Sequence, residues 1–480
     1  MRAPGAVGPR VTSLFEPLRL RDVEIPNRVW VSPMCQYSCD PVDAPGVVHD
    51  WHLAHLGAFA VGGAGLVLTE AAAVSPEGRI SPEDAGLWTD EQARAWARVV
   101  DFVHARGARA GVQLAHAGRK ASTYRPFEAA GTGSVPEAEG GWEAVAPSAV
   151  AFDGFAEPRA LDAAGLQRVV DDFAAATRRA DAAGFDVVEV HAAHGYLLHQ
   201  FLSPLANRRD DAHGGDLAGR ARLLLEVVDA VRAAWPAGKP VLVRVSGTDW
   251  ADGGLTLEEV VEVSGWLREH GVDLVDVSSG GLVPGASIPV APGYQVPLAE
   301  AVRRGAGVAT GAVGMITDPA QAAQVVAQGQ ADAVLLARAL LRDPALAPAR
   351  RPRARRRAAA AAAVRARLTA AASRVPSTGR EAARPGLPPA GRDGRRTGAR
   401  ADGRGRAEST SGRRPDRSGA RPESAEPVPE RGRARPRTRP RGRERHHRGG
   451  AGSATRTTAG PLRHWLGARR SPAAGVGAPA

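Results

Sequence analysis

The chain has 480 residues and a formal charge of +12, an average over two unlike parts. Residues 345–480 hold 34 Arg, no Lys and 9 acidic residues, a net +25; 29 basic and 42 acidic residues remain in 1–344, a net −13. An acidic body argues against nucleic-acid binding by residues 1–344, and two cysteines, Cys35 and Cys39, argue against a disulfide framework.

From residue 28 onward, apolar runs of strand length alternate with longer amphipathic stretches. The runs are "RVWVSP" (28–33), "GLVLTEAAAV" (65–74), "ARAGVQL" (108–114), "FDVVEVH" (185–191), "PVLVRVS" (240–246), "VDLVDVSS" (272–279), "GVATGAV" (307–313) and "ADAVLLAR" (331–338). Between them, residues 90–107, 166–184 and 254–271 repeat apolar positions every three or four residues and end in Gly, as helices do. Thr256 and Glu259 form a capping-box pattern. Eight β-runs with helices between them predict an α/β fold, a (β/α)8 TIM barrel; a doubly wound open sheet is the alternative. Two long loops, 117–158 and 280–297, leave the carboxyl ends of the third and sixth strands, the face on which barrel enzymes carry their sites. The N-terminus lacks the apolar core of a signal peptide, and no run approaches the ~18 apolar residues of a membrane span. A cytoplasmic protein is expected.

From 345 the composition changes to Arg, Ala, Gly, Pro and Ser, with no Ile, Phe, Tyr, Met, Cys, Lys, Asn or Gln. Such a segment cannot bury a core, so 1–344 reads as the folded domain and 345–480 as a disordered basic tail. The tail fits GC-rich DNA translated out of frame. The competing reading is an Arg-rich tail that binds nucleic acid non-specifically on an impaired barrel.

Strand alternation assigns the inward residues. Glu189 and His191 share one face of their run, and Leu242, Arg244 and Ser246 share one face of theirs. An inward Arg244 needs an anion, either an ion pair with Glu189 or a ligand with electron-rich oxygens. Gln113 adds an amide at the end of the third strand. "ATGAVG" (309–314) and "LLARALL" (335–341) follow strands seven and eight, where barrels often bind phosphate, with Arg338 as countercharge. In "VEVHAAHGYLLHQFLSP" (188–204), His191, His194 and Tyr196 lie within six positions, with His199 on the helix that follows. A catalytic zinc needs a third ligand, which the spacing does not supply. Two donors and a tyrosine suit a carbonyl oxygen and a proton transfer better.

"PMCQYS" (33–38), "EAAAVSPEGRIS" (70–81), "VQLAHAGRK" (112–120), "HAAHGYLLHQFLSP" (191–204) and "NRRDDAHGGDLAGRARLLLEVV" (207–228) together resemble the Old Yellow Enzyme family. More narrowly they resemble its bacterial Cys-containing class of NADPH-dependent, FMN-binding ene-reductases and xenobiotic reductases, over residues 13–344. The resemblance implies FMN as cofactor, NADPH as hydride donor and an enone as substrate. It implies that Ser32, Pro33, Met34 and Cys35 line the flavin, Ala71 and Gln113 contact its ring, and Arg244 faces the N1/O2 end. Gly314, Ala337 and Arg338 would hold the phosphate, with Ala337 where the family usually has Gly; a methyl group there requires a negative φ. His191 and His194 would bind the carbonyl, Tyr37 would line the pocket, and Tyr196 would donate the proton. The family's C-terminal segment, which sends an Arg into the neighbouring subunit's site, finds no match after "LLRDP" (340–344). A homo-oligomer is therefore implied only for an intact C-terminus.

Overall fold

The computed structural model describes residues 12–126 and 131–346; the reading of the basic tail, from 347 on, lies outside them. Eight parallel strands close into a barrel: β1 (Val29–Val31), β2 (Leu66–Ala73), β3 (Arg109–Ala115), β4 (Val187–Ala192), β5 (Val241–Ser246), β6 (Leu274–Ser278), β7 (Ala309–Ala312) and β8 (Ala333–Leu336). Each lies on one predicted run. Strands pair in chain order, and β8 pairs with β1, so the barrel has no open edge and the open-sheet alternative falls.

The helices are α1 (Asp50–Gly62), α2 (Asp90–Ala105), α3 (Ala163–Ala182), α4 (Leu197–Leu202), α5 (Leu217–Ala234), α6 (Leu257–Glu269), α7 (Val296–Ala306), α8 (Pro319–Ala327) and α9 (Arg338–Arg342). Their starts are chemically marked. Thr89 with Gln92 and Thr256 with Glu259 form reciprocal capping boxes on α2 and α6, and Asp162 caps α3. Such caps satisfy amide groups that the first turn leaves without a partner. No helix among the described residues is long and apolar enough to cross a membrane.

Apolar side chains form two large sets and a small third one of Ala117, Ala121, Ala144 and Tyr196. Of the two large sets, one fills the layer between strands and helices. The other, with Trp30, Leu66, Leu68, Val187, Leu242 and Leu335, fills the amino end of the barrel. Leu20, Val23 and Ile25 join it from a short antiparallel hairpin, Leu18–Leu20 with Val23–Ile25. That hairpin was not among the predicted elements. Above this floor three strands repeat one order: Val187, Glu189, His191 on β4; Leu242, Arg244, Ser246 on β5; Leu274, Asp276, Ser278 on β6. Each ascends from apolar to charged to hydrogen-bonding, so the polar chemistry sits toward the carboxyl end.

The long loop after β3 has structure of its own, including a two-residue parallel pairing of Val145–Ala146 with Arg159–Ala160. Buried Arg119 fastens it: Nη1 donates to the Val150 carbonyl at 3.1 Å and Nη2 to the Leu282 carbonyl at 2.8 Å. The loops after β3 and β6 are thus tied across the barrel mouth.

Candidate active site

The site rests on a buried charge cluster. Register sets Glu189 beside Gln113, His191 beside Arg244, and Arg244 beside Asp276. The partner of Arg244 is Asp276, not Glu189: Nε lies 3.0 Å from Oδ2, with both side chains almost fully buried. That contact is close but misaligned for a straight hydrogen bond, since Nε and both Asp276 oxygens lack a hydrogen-bond partner. Arg244 Nη2 and the Glu189 Oε2 are likewise without partners, while Glu189 Oε1 accepts from Gln113 Nε2 at 2.8 Å.

Two acids and one guanidinium, all out of water, cannot all be charged cheaply. Burial, aided by Asp276 and opposed by Arg244 and Gln113, pushes the Glu189 carboxyl up to about 8. Burial also raises Asp276, against the pull of Arg244. The folded barrel therefore keeps a proton on Glu189 at neutral pH that the unfolded chain releases near its ordinary value of 4.5. Its stabilising contribution is full below that value and is lost as pH rises through about 8. Glu189→Gln, an uncharged isostere, should flatten the fall in urea midpoint between pH 5 and 8. A slope equal to wild type would show that the proton resides elsewhere.

His191 and Tyr196 meet edge-on, with ring centroids 5.0 Å apart, and His194 is likewise edge-on to His191 at 5.2 Å. All three are buried. The hydrogen bonds assign the ring protons. The Ala193 amide donates to His191 Nδ1 at 3.3 Å, which leaves Nε2 carrying the hydrogen. His194 Nε2 lies 2.7 Å from Ser278 Oγ, itself approached by Gln295 Nε2 at 3.5 Å. A Ser278 hydroxyl that accepts from Gln295 is free to donate to His194 Nε2, the arrangement that leaves the His194 proton on Nδ1. Burial, reinforced by Arg244, holds both imidazoles well below their ordinary pKa, so they are uncharged donors. Burial raises the Tyr196 phenol well above its usual value, so its proton is retained.

These groups share a turn with unusual backbone. His194 has φ +58 and Gly195 φ +75 in succession. A Cβ on Gly195 would come 2.2 Å from the Gly281 carbonyl oxygen. Gly195→Ala should therefore lose about 1–3 kcal/mol of stability, read as a lowered denaturant midpoint; an unchanged midpoint would mean the turn accommodates a side chain. Lys120 buttresses the same turn. Its Nζ donates to the carbonyls of His194 (2.9 Å) and Gly281 (3.2 Å) and lies 5.0 Å from the Tyr196 ring centroid. Burial, with Arg119 adjacent, pushes it down to about 8. It is on no strand, since β3 ends at Ala115; its place at the site comes from the loop.

After β1 the chain carries Ser32, Pro33 and Met34, all buried, then Cys35, half-buried. Ser32 extends the β8 pairing through its amide, and its hydroxyl is buried without a partner. Burial, with Asp84 and Glu70 nearby, raises Cys35 well above the usual thiol range, while hydrogen bonds to the Ala71 backbone and Tyr37 oppose this. Tyr37 is buried at φ +50. Ala71 pairs with Gln113 just past a bulge in β2. Beyond β7 and β8 lies a separate cavity lined by Tyr294, Gln295, Gly314, Arg338 and Arg342. Gly314 has φ +107, and a Cβ there would meet Gln295 at 2.9 Å. Ala337 has φ −111, so its methyl group is accommodated. The structure thus brings the predicted residues to one end of the barrel. Asp276, Ser278, Gln295 and Arg342 were not among them.

A barrel with a buried guanidinium, two imidazoles and a phenol at its carboxyl end offers donors for an electron-rich ligand, and the Arg-lined cavity past β7 and β8 suits an anionic group such as phosphate. The family described as NADH:flavin oxidoreductase / NADH oxidase matches residues 13–353, and the chain belongs to it. It is a flavin-dependent NAD(P)H oxidoreductase, with FMN as the flavin. An NADPH dehydrogenase of Listeria innocua is 48% identical over 335 residues, covering 70% of this chain and 93% of that protein. The old yellow enzyme homologue from Zymomonas mobilis superposes with a TM-score of 0.58 at 27% identity, covering 69% of this chain and 90% of its own. A 2-naphthoyl-CoA reductase superposes with a TM-score of 0.64 at 25% identity, covering 70% of this chain; the chain spans about half (51%) of that protein. The donors fit the cofactor: Arg244 Nη2 and Ser32 Oγ are buried without partners, and a flavin's ring and ribityl chain carry oxygens and nitrogens to meet them.

Proposed function

We propose that this enzyme reduces the C=C bond of α,β-unsaturated aldehydes and ketones at the expense of NADPH. The observation that carries the reading is the convergence of two uncharged imidazole donors with a protonated phenol. Bound FMN supplies hydride transfer between NADPH and the β-carbon. Ser32, Pro33, Met34, Cys35, Ala71 and Gln113 hold its ring, Arg244 meets its electron-rich edge, and Gly314, Ala337 and Arg338 hold its phosphate.

His191 Nε2–H and His194 Nδ1–H grip the carbonyl oxygen, where negative charge grows as the β-carbon is reduced. Donors already oriented in a dry site stabilise that charge without reorganising. Ser278 keeps His194 in its donating tautomer. Tyr196 gives its hydroxyl proton to the α-carbon, and Tyr37 and Cys35 line the pocket. With cyclohexenone and NADPH in deuterated water, the product should be the saturated ketone with deuterium at the α-carbon. An allylic alcohol, its C=C intact, would overturn the reading.

A further inference from the structure

His199 and Asp249 are wholly buried, and neither lines the Arg-lined cavity. His199 is on α4; Asp249 is in the loop after β5. The Gly195 amide donates to His199 Nδ1 at 2.9 Å. That nitrogen must present a lone pair, so the ring proton is on Nε2, which lies 2.8 Å from Asp249 Oδ1. The contact is bent, yet neither atom has another hydrogen-bond partner among the described residues. The other carboxylate oxygen of Asp249 accepts from Ser203 Oγ at 2.6 Å and from the Leu255 amide at 2.8 Å. Burial would raise this carboxyl, but His199, Ser203 and the Leu255 amide together hold it below the ordinary range.

The next residue acts on the same glycine. Gln200 Nε2 donates to the Gly195 carbonyl at 2.7 Å. Both peptide groups of Gly195 are thus gripped by neighbouring side chains of α4. Between His194 and Tyr196, Gly195 sets the angle at which the two present themselves. Two successive residues at positive φ do not hold that conformation unaided.

We propose that His199 and Asp249 form a positioning dyad: Asp249 selects the His199 tautomer that accepts the Gly195 amide, and so aims Tyr196 at the substrate held by His191 and His194. The proposal rests on the reading of Tyr196 as proton donor. It makes a one-atom prediction. In Asp249→Asn the amide oxygen must take the place facing Leu255 N–H, which turns the NH2 group toward His199. Nε2 then has to accept, the ring proton moves to Nδ1, and it opposes the Gly195 N–H.

The test uses the FMN-loaded full chain, with 15N spectra of its histidines and the two half-reactions measured separately. In the wild type the His199 proton should be on Nε2, and in Asp249→Asn on Nδ1. The variant should reduce cyclohexenone about 10²-fold more slowly, as a misplaced reacting group does, while its reduction by NADPH keeps the wild-type rate. His199→Asn offers an amide oxygen to Gly195 without needing Asp249, so adding Asp249→Asn to it should cost nothing further. An equal cost in both backgrounds would make Asp249 a purely structural anchor and overturn the proposal. So would a wild-type proton on Nδ1, a result that does not require any variant to fold. If the wild type has the Nε2 tautomer but no Tyr196-dependent enone step, the positioning role falls because the functional reading has failed.

Discussion

Tyr196→Phe should slow enone reduction by about 10²–10⁴ while leaving reduction of the enzyme by NADPH near the wild-type rate. The phenol is 5.0 Å ring to ring from His191 and keeps its proton because burial raises it well above the ordinary range. Phenylalanine preserves that packing and removes only the hydroxyl. The two half-reactions, followed separately by rapid mixing, distinguish proton donation from packing. Equal slowing of both would mean that Tyr196 shapes the pocket and a different group protonates the α-carbon. No activity near neutral pH should track ionisation of His191 or His194, since burial keeps both well below their ordinary pKa.

Arg244→Met should lower stability by about 3–5 kcal/mol, the cost of stranding a buried charge by removing its partner. Asp276 would lose the guanidinium 3.0 Å away, and Glu189 the charge that opposes its upward shift. Both carboxyls would then take up protons more readily. The loss should therefore be larger at pH 8 than at pH 5, the direction required when the folded state binds more protons than the unfolded one. The variant should also purify with little FMN, because the buried cation proposed to face the cofactor's electron-rich edge is gone. Urea unfolding at the two pH values, with FMN content measured alongside, checks both parts. Wild-type stability with full flavin content would show that the cluster is balanced without Arg244.

The barrel strands were legible because each is buried on both faces and reads as an apolar run with a charged or polar interruption. Alternation then gave the inward parity of Glu189, His191, Arg244 and Ser246 correctly. It could not give the partner of Arg244. Asp276 is adjacent only because β5 and β6 pair in one register, and "VDLVDVSS" does not state that register. The hairpin of residues 18–25 escaped because three-residue strands are too short to show a period. Lys120 and Arg119 reach the site through a loop whose path is set by contacts with residues 150, 194, 281 and 282. The His199–Asp249 contact joins residues 50 positions apart with no periodic pattern between them. What local chemistry dictates, the sequence shows; what depends on which surfaces meet, it does not.

The most direct test of an FMN-dependent NADPH oxidoreductase that reduces enones is an anaerobic visible spectrum of the purified chain supplied with FMN. The protein should be yellow and retain its flavin through gel filtration. It should bleach on addition of NADPH and regain its colour when cyclohexenone follows. Colourless protein, or yellow protein that NADPH does not bleach, would contradict the account; bleached protein that the enone fails to recolour would leave the flavin chemistry standing and remove the proposed substrate class.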